Sequence, residues 1–215
     1  MKRKLTALFL VLALALTLVP ASFAAGGAAE ASVYVTVSDA GRLVLVREAL
    51  TVSDLDGDGK LTINDALIAA HDTKFEGGSK AGYASAETQY GLSLTKLWGV
   101  ENGGSYGYYV NNAAAMSLGD AIQNGDSVYA FIYADLTAWS DTYCYFSAET
   151  AEVGTGSALA LTLTKLGFDE NYAPVASPAE ADILVDGKKT AATDKDGKVL
   201  GSVPVKIAPY DSFHT

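Results

Sequence analysis

Apolar and polar residues alternate singly from Val33 to Val37, with Tyr34 and Thr36 between the valines, which predicts a strand buried on one face over 32–37. A second β-rich run covers 42–46, and Ser38-Asp39-Ala40-Gly41 between them reads as a hairpin turn. Leu50-Thr51-Val52 predicts another short strand. The period then changes. Ile63, Ala66, Leu67 and Ala70 recur at helical spacing, Thr62 with Asp65 three residues later forms a capping-box pattern, and Gly77-Gly78 stops the helix. His71 on this helix reads as a surface or packed residue rather than a ligand.

Beyond the helix the pattern returns to β. Residues 92–98, 106–111, 127–133 and 142–146 predict aromatic-rich strands, separated by turns such as Asn102-Gly103-Gly104 and Asn124-Gly125-Asp126. Residues 117–123 predict a short helical turn, and Cys144 in the last of these strands predicts a buried, inert thiol. Small residues over 149–157 predict a linker. After it, 158–163, 182–185 and 203–207 predict strands of a β-sandwich with too few strands to close, as expected of a truncated module, with Asp186-Gly187 and Asp196-Gly197 as turns. Asp194 and Asp196 flank a hairpin turn with no helix after it, so a second metal loop is not expected there.

Composition changes the picture at the N-terminus. Met1-Lys2-Arg3-Lys4 precedes an uncharged apolar run from Leu5 to Val19, and small residues end at Ala24, the pattern of a cleaved export signal over 1–24. Residues 25–31 then form a linker, and no transmembrane segment is expected in the mature chain. The whole chain carries 25 acidic against 15 basic residues, and loss of the three leader cations moves its net charge from −10 to −13. Such a balance disfavours nucleic acid and anionic membranes as partners and favours cations. A single cysteine excludes an internal disulfide, so an exported, extracellular or cell-surface chain must find its staple elsewhere, and a bound metal is one candidate.

Candidate chemistry concentrates in residues 54–65, Asp54-Leu55-Asp56-Gly57-Asp58-Gly59-Lys60-Leu61-Thr62-Ile63-Asn64-Asp65. Asp54, Asp56 and Asp58 stand at positions 1, 3 and 5, Gly59 at 6, Lys60 at 7 and Asp65 at 12 of a calcium loop. Alternate short carboxylates converge on one point, and Gly59 permits the bend that a Cβ resists. Lys60 would offer only its backbone carbonyl, Thr62 would reach the ion through a water, and Leu61 would pack beneath. An oxygen-only donor set selects calcium over zinc or copper. A solvated Asp-Gly turn is the alternative, but it does not require five specified positions in front of a helix.

Aromatic residues supply a second candidate. Trp98, Tyr106, Tyr108 and Tyr109, with Asn111 beside them and Trp139, Tyr143 and Tyr145 further on, offer rigid area with polar tips. Ordinary strand packing is the competing reading, and alternation puts Tyr106 and Tyr108 on one face and Tyr109 on the other. Paired catalytic carboxylates, zinc-ligand spacing, a nucleophile elbow and a phosphate loop do not appear, so an enzyme is not expected.

The acidic loop followed by Asp65-Ala66-Leu67 resembles the calcium-binding repeat of dockerins, whose implied partner is a cohesin-type protein; those proteins carry two repeats and this chain one. Leu97-Trp98-Gly99, the run from Gly107 to Asn112, and Asn124-Gly125-Asp126-Ser127-Val128 are similar to the transcobalamin-like C-terminal domain family of secreted bacterial proteins. That resemblance implies a β-grasp-like core over 32–148 and a role in holding a small ligand such as a corrinoid. Residues 158–215 resemble part of a bacterial Ig-like module. The expected fold class is therefore α+β, a β-grasp-like domain with one helix and an inserted calcium loop, followed by a partial all-β sandwich. The expected function is a secreted, non-catalytic, calcium-binding module for a small ligand (corrinoid-like or glycan) or a protein partner. A spacer of a larger surface protein and a dockerin-like assembly module are the alternatives.

Overall fold

A computed structural model describes residues 30–152, 159–185 and 188–200. The predicted leader, the strand at 203–207 and the turn at Asp186-Gly187 lie outside them. Chain order begins β1 (Glu30–Asp39), β2 (Arg42–Ser53), α1 (Ile63–Lys74), α2 (Gly78–Gly82), β3 (Ala84–Thr88) and β4 (Gly91–Lys96). It continues with β5 (Tyr106–Val110), β6 (Ala113–Ala114), β7 (Ser127–Ile132) and β8 (Tyr143–Phe146). Last come β9 (Leu163–Phe168), β10 (Pro174–Pro178), β11 (Asp182–Val185), β12 (Lys188–Thr193) and β13 (Val199–Leu200).

The expected α+β class is corrected. With 47% strand, 11% helix and two helices among the described residues, the protein is largely all-β, its strands distributed over several sheets rather than one β-grasp-like domain with a helical insertion. The physical reason is the reach of β pairing. Residues 50–52 do not form a separate strand but extend β2 to 12 residues, and β3, β9 and β10 form where composition alone reads as loop. Among the described residues, helix is confined to one 12-residue and one 5-residue stretch. Residues 117–123 form turns around Asp120, whose carboxylate accepts the N–H groups of Met116 and Ser117.

The largest sheet has the order β2-β1-β7-β5-β6, with β1 and β7 parallel and the other neighbours antiparallel. Alternation decides its two faces. Val33, Val35 and Val37 of β1 and Val128, Ala130 and Ile132 of β7 form the inner face, on which α1 lays Ile63, Ala66, Leu67 and Ala70. Burying each of the larger side chains stabilises the fold by about 1.5–3 kcal/mol. Tyr34, Thr36 and Ser38 of β1 and Tyr129 and Phe131 of β7 point to the outer face. β3 and β4 form a hairpin, and Leu94 at its centre reaches the same core.

Across the expected linker, β8 does not join the large sheet. It pairs with β9, in a three-stranded sheet of order β10-β9-β8, while β11-β12-β13 form a third. A bridge from Thr162 to Lys198 connects the two small sheets. Cys144, expected to be buried, is exposed on β8 because the aromatic neighbours Tyr143 and Tyr145 take the inward positions. Partial desolvation nevertheless pushes its thiol pKa up, away from the thiolate form.

Candidate functional site

The acidic loop leaves β2 at Ser53 and enters α1 at Ile63, so its ends are fixed by a sheet and a helix that share one core. Within it, carboxylate oxygens of Asp54, Asp56 and Asp58 lie within 4.8 Å of one another. Asx-type hydrogen bonds fold the chain around them. One Asp54 oxygen accepts the N–H groups of Gly57 (2.8 Å) and Asp58 (3.1 Å), and the other that of Gly59 (2.9 Å). Asp58 accepts the N–H of Lys60 at 2.8 Å, with the Lys60 ammonium 4.0 Å away. Gly59 adopts φ of +83°, where a side chain would strain the bend.

Asp65 is not a member of that cluster. It is fully buried, and its oxygens accept the N–H groups of Leu55 (2.7 Å), Asp56 (3.3 Å) and Thr62 (3.0 Å) together with the Thr62 hydroxyl (2.8 Å). The predicted capping box is present, and it engages both the carboxylate and the hydroxyl that the sequence offered as ligands. Asp65 therefore ties the start of the loop to the start of the helix. Leu61 packs against the core as expected. The amide of Asn64 donates to Asp56 at 2.7 Å, and its carbonyl oxygen accepts the hydroxyl of Tyr83, linking the loop to the α2–β3 junction.

The aromatic candidates separate into three places. Trp98, held at φ of +51° in the tight turn between Leu97 and Val100, packs tilted against His71 at 4.9 Å and edge-on to Phe75 at 5.4 Å at the end of α1. Its N–H donates to Nε2 of His71 (3.0 Å), which must therefore be unprotonated, so Nδ1 carries the proton and donates to the Leu67 carbonyl (2.6 Å). Burial lowers the pKa of this imidazole and keeps it neutral. Tyr106 and Tyr108 pack on the inner face, and the hydroxyl of Tyr106 is shared among Thr95, Val100 and Asn102. Asn111 forms the β5–β6 turn, donating to Asp126 (2.8 Å) and accepting from Ser127 (2.9 Å).

Tyr109 alone points outward, onto a feature that the sequence did not reveal. On the outer face Tyr109 stacks on Tyr143 at 4.0 Å and lies 6.1 Å from Phe131, while Tyr129 meets Tyr143 edge-on at 5.5 Å. Between this face and β8 lies a groove of about 530 Å³. Its polar end is built by a β-bulge in β2, where Val46 and Arg47 together oppose Thr36. Arg47 takes φ of +43°, lays its guanidinium 3.7 Å over the Tyr34 ring and donates through Nε to Glu149 at 3.2 Å. Glu149 also accepts the hydroxyls of Tyr129 (2.6 Å) and Ser127 (2.8 Å). Desolvation pushes the Glu149 carboxyl up, but these hydrogen bonds outweigh it and hold its pKa below the ordinary value. Burial pushes the Tyr129 hydroxyl up to about 12. The signal for Glu149 was absent from the sequence, because the residue sits at the head of a stretch of small residues that reads as a linker.

Among the described residues, no helix is long and apolar enough to cross a membrane. No family model matches the chain, and a search of curated proteins returns no match.

Proposed function

We propose that this chain is an exported, non-catalytic binding module in which the 54–65 loop holds a calcium ion as a structural staple. The observation that carries this reading is the convergence of the Asp54, Asp56 and Asp58 carboxylates within 4.8 Å in a glycine-bent turn. Three anions so close repel one another even with backbone N–H groups bonded to them, and an all-oxygen donor set suits a hard divalent ion. Asp54, Asp56 and Asp58 are the side-chain ligands in this reading, with the Lys60 backbone carbonyl at position 7. Asp65 orients the loop from behind. The ion would neutralise the loop and tie β2 to α1.

The resemblance to dockerin repeats supports the same metal. A cohesin-type partner draws less support, because the assignment rests on one loop rather than two. Calorimetric titration of the metal-free chain with calcium tests the proposal. The expected result is a single site whose occupation raises the melting temperature, lost in Asp54→Ala and Asp58→Ala. At calcium about 100 times the dissociation constant, the gain is about 2.7 kcal/mol. Absence of heat and of any thermal shift at millimolar calcium would overturn it.

A further inference from the structure

The groove between the outer face of the large sheet and β8 lies apart from the acidic loop, and nothing in the calcium reading uses it. Five of its features point to a ligand. Its volume of about 530 Å³ falls within the range of small-ligand sites, and its position between a sheet and the strand of a neighbouring sheet is where such sites form. Half-buried rings of Tyr129, Phe131, Tyr143 and Tyr145 line it, giving flat apolar area with polar tips. Arg47 is held in a left-handed conformation that is strained for a non-glycine residue, and such strain gathers at ligand sites. Finally, Arg47 reaches its carboxylate partner through Nε and lies over the Tyr34 ring, so that among the described residues its two terminal amino groups have no hydrogen-bond acceptor.

Charge narrows the class. Arg47 brings one positive charge, whereas Glu149 and Asp141 bring two negative ones to the same walls, on a chain whose net charge is −10. An anionic ligand would meet more repulsion than attraction. Glu149 already accepts from Arg47, Ser127 and Tyr129, and Asp141 from the N–H of Asp135, but each carboxylate keeps an unused lone pair. A neutral apolar ligand would leave these and the guanidinium amino groups facing it unmatched. A ligand with an apolar face and many hydroxyls satisfies both walls: its C–H face lies on the tyrosine rings, and its hydroxyls donate to Glu149 and Asp141 and accept from Arg47. The loop that supplies Asp141 also displays Trp139, 61% exposed at φ of +48°, and Asp135 stiffens that loop by accepting the N–H groups of Thr137 and Ala138 and the hydroxyl of Ser140.

We propose that this aromatic groove binds a neutral, hydroxyl-rich carbohydrate chain, with Tyr143 and Tyr145 as stacking surface and Arg47, Asp141 and Glu149 as hydroxyl partners. The proposal rests on reading the chain as a binding module, and it does not depend on the metal. The test is native affinity electrophoresis of the full chain in gels containing glucomannan, mixed-linkage β-glucan or arabinoxylan, beside polygalacturonate, each run with calcium and with chelator.

Retardation by at least one neutral polymer is expected. It should weaken by about tenfold or more in Tyr145→Ala and in Leu43→Glu, an exposed residue on the groove's rim whose replacement spares the core. Tyr90→Ala, at an exposed tyrosine that does not line the groove, should leave it unchanged. No retardation by any neutral polymer, retardation by polygalacturonate alone, or full retention of binding in both groove variants would overturn the proposal. A calcium-dependent thermal shift in a chain that ignores every sugar sinks the groove assignment and spares the metal. Sugar binding that persists in chelator, in a chain that takes up no calcium, does the reverse.

Discussion

Two aspartates of the same loop do different work, and single substitutions separate them. Asp58 is exposed and belongs to the carboxylate cluster, whereas Asp65 is buried and accepts four hydrogen bonds. Removing Asp65 strands buried donors that each cost about 1–3 kcal/mol and takes away the helix cap, worth about 0.5–2 kcal/mol. Urea unfolding in chelator should therefore show Asp65→Ala destabilised by roughly 3 kcal/mol or more, a cost built from those same terms, while Asp58→Ala stays close to the parent protein. His71 supplies a pH dependence at the same scale. Its folded-state pKa is lowered by burial, so the folded form binds fewer protons than the unfolded chain. Its contribution is complete above the ordinary value of 6.5 and is lost as pH falls below it towards the lowered folded value. Protonation would also break the bond from the Trp98 N–H to Nε2. The urea midpoint should fall as pH drops below 6.5, with Trp98 emission changing in the same range; a flat midpoint there would contradict the buried neutral imidazole.

Among the elements, the pairing of β5 with β7 is sensitive to a single added carbon. Gly107 sits opposite Phe131, whose ring lies across the position a Cβ would occupy. Gly107→Ala must swing that ring away and break its contacts with Tyr109 and with Tyr133, 4.8 Å distant. The expected cost is about 1–3 kcal/mol, read from urea unfolding, with loss of near-ultraviolet ellipticity from the displaced aromatic stack. The bulge in β2 matters in another way: a regular ladder would turn Arg47 away from Tyr34 and Glu149 and remove the polar end of the groove.

For the molecule as a whole, the acidic loop joins elements that are already stitched together. The N–H groups of Ile63 and Asn64 donate to the carbonyls of Asp120 and Leu118, and that of Ile122 donates to Leu61. A cation at the loop should therefore raise the unfolding temperature of the large sheet and α1 together, in one transition rather than through local ordering. The net charge of −10 adds a second expectation. Raising salt from about 20 to 500 mM should stabilise the metal-free chain by screening its self-repulsion, and should do so less once calcium is bound.

Sequence by itself determined what depends on near neighbours. The alternation of Val33, Val35 and Val37, the capping box of Thr62 and Asp65, and the spacing of the loop aspartates were all legible, because each is set within a few residues. Only tertiary structure decided which strands pair, and so the largely β class, since β partners are chosen across the chain by faces that must be covered. It also decided that Trp98, Tyr106 and Tyr109 serve different neighbourhoods, and that Glu149, 102 residues from Arg47, closes a groove with it. Hydrogen bonds and ring contacts between distant residues leave no period in the chain, which is why no local pattern announced them.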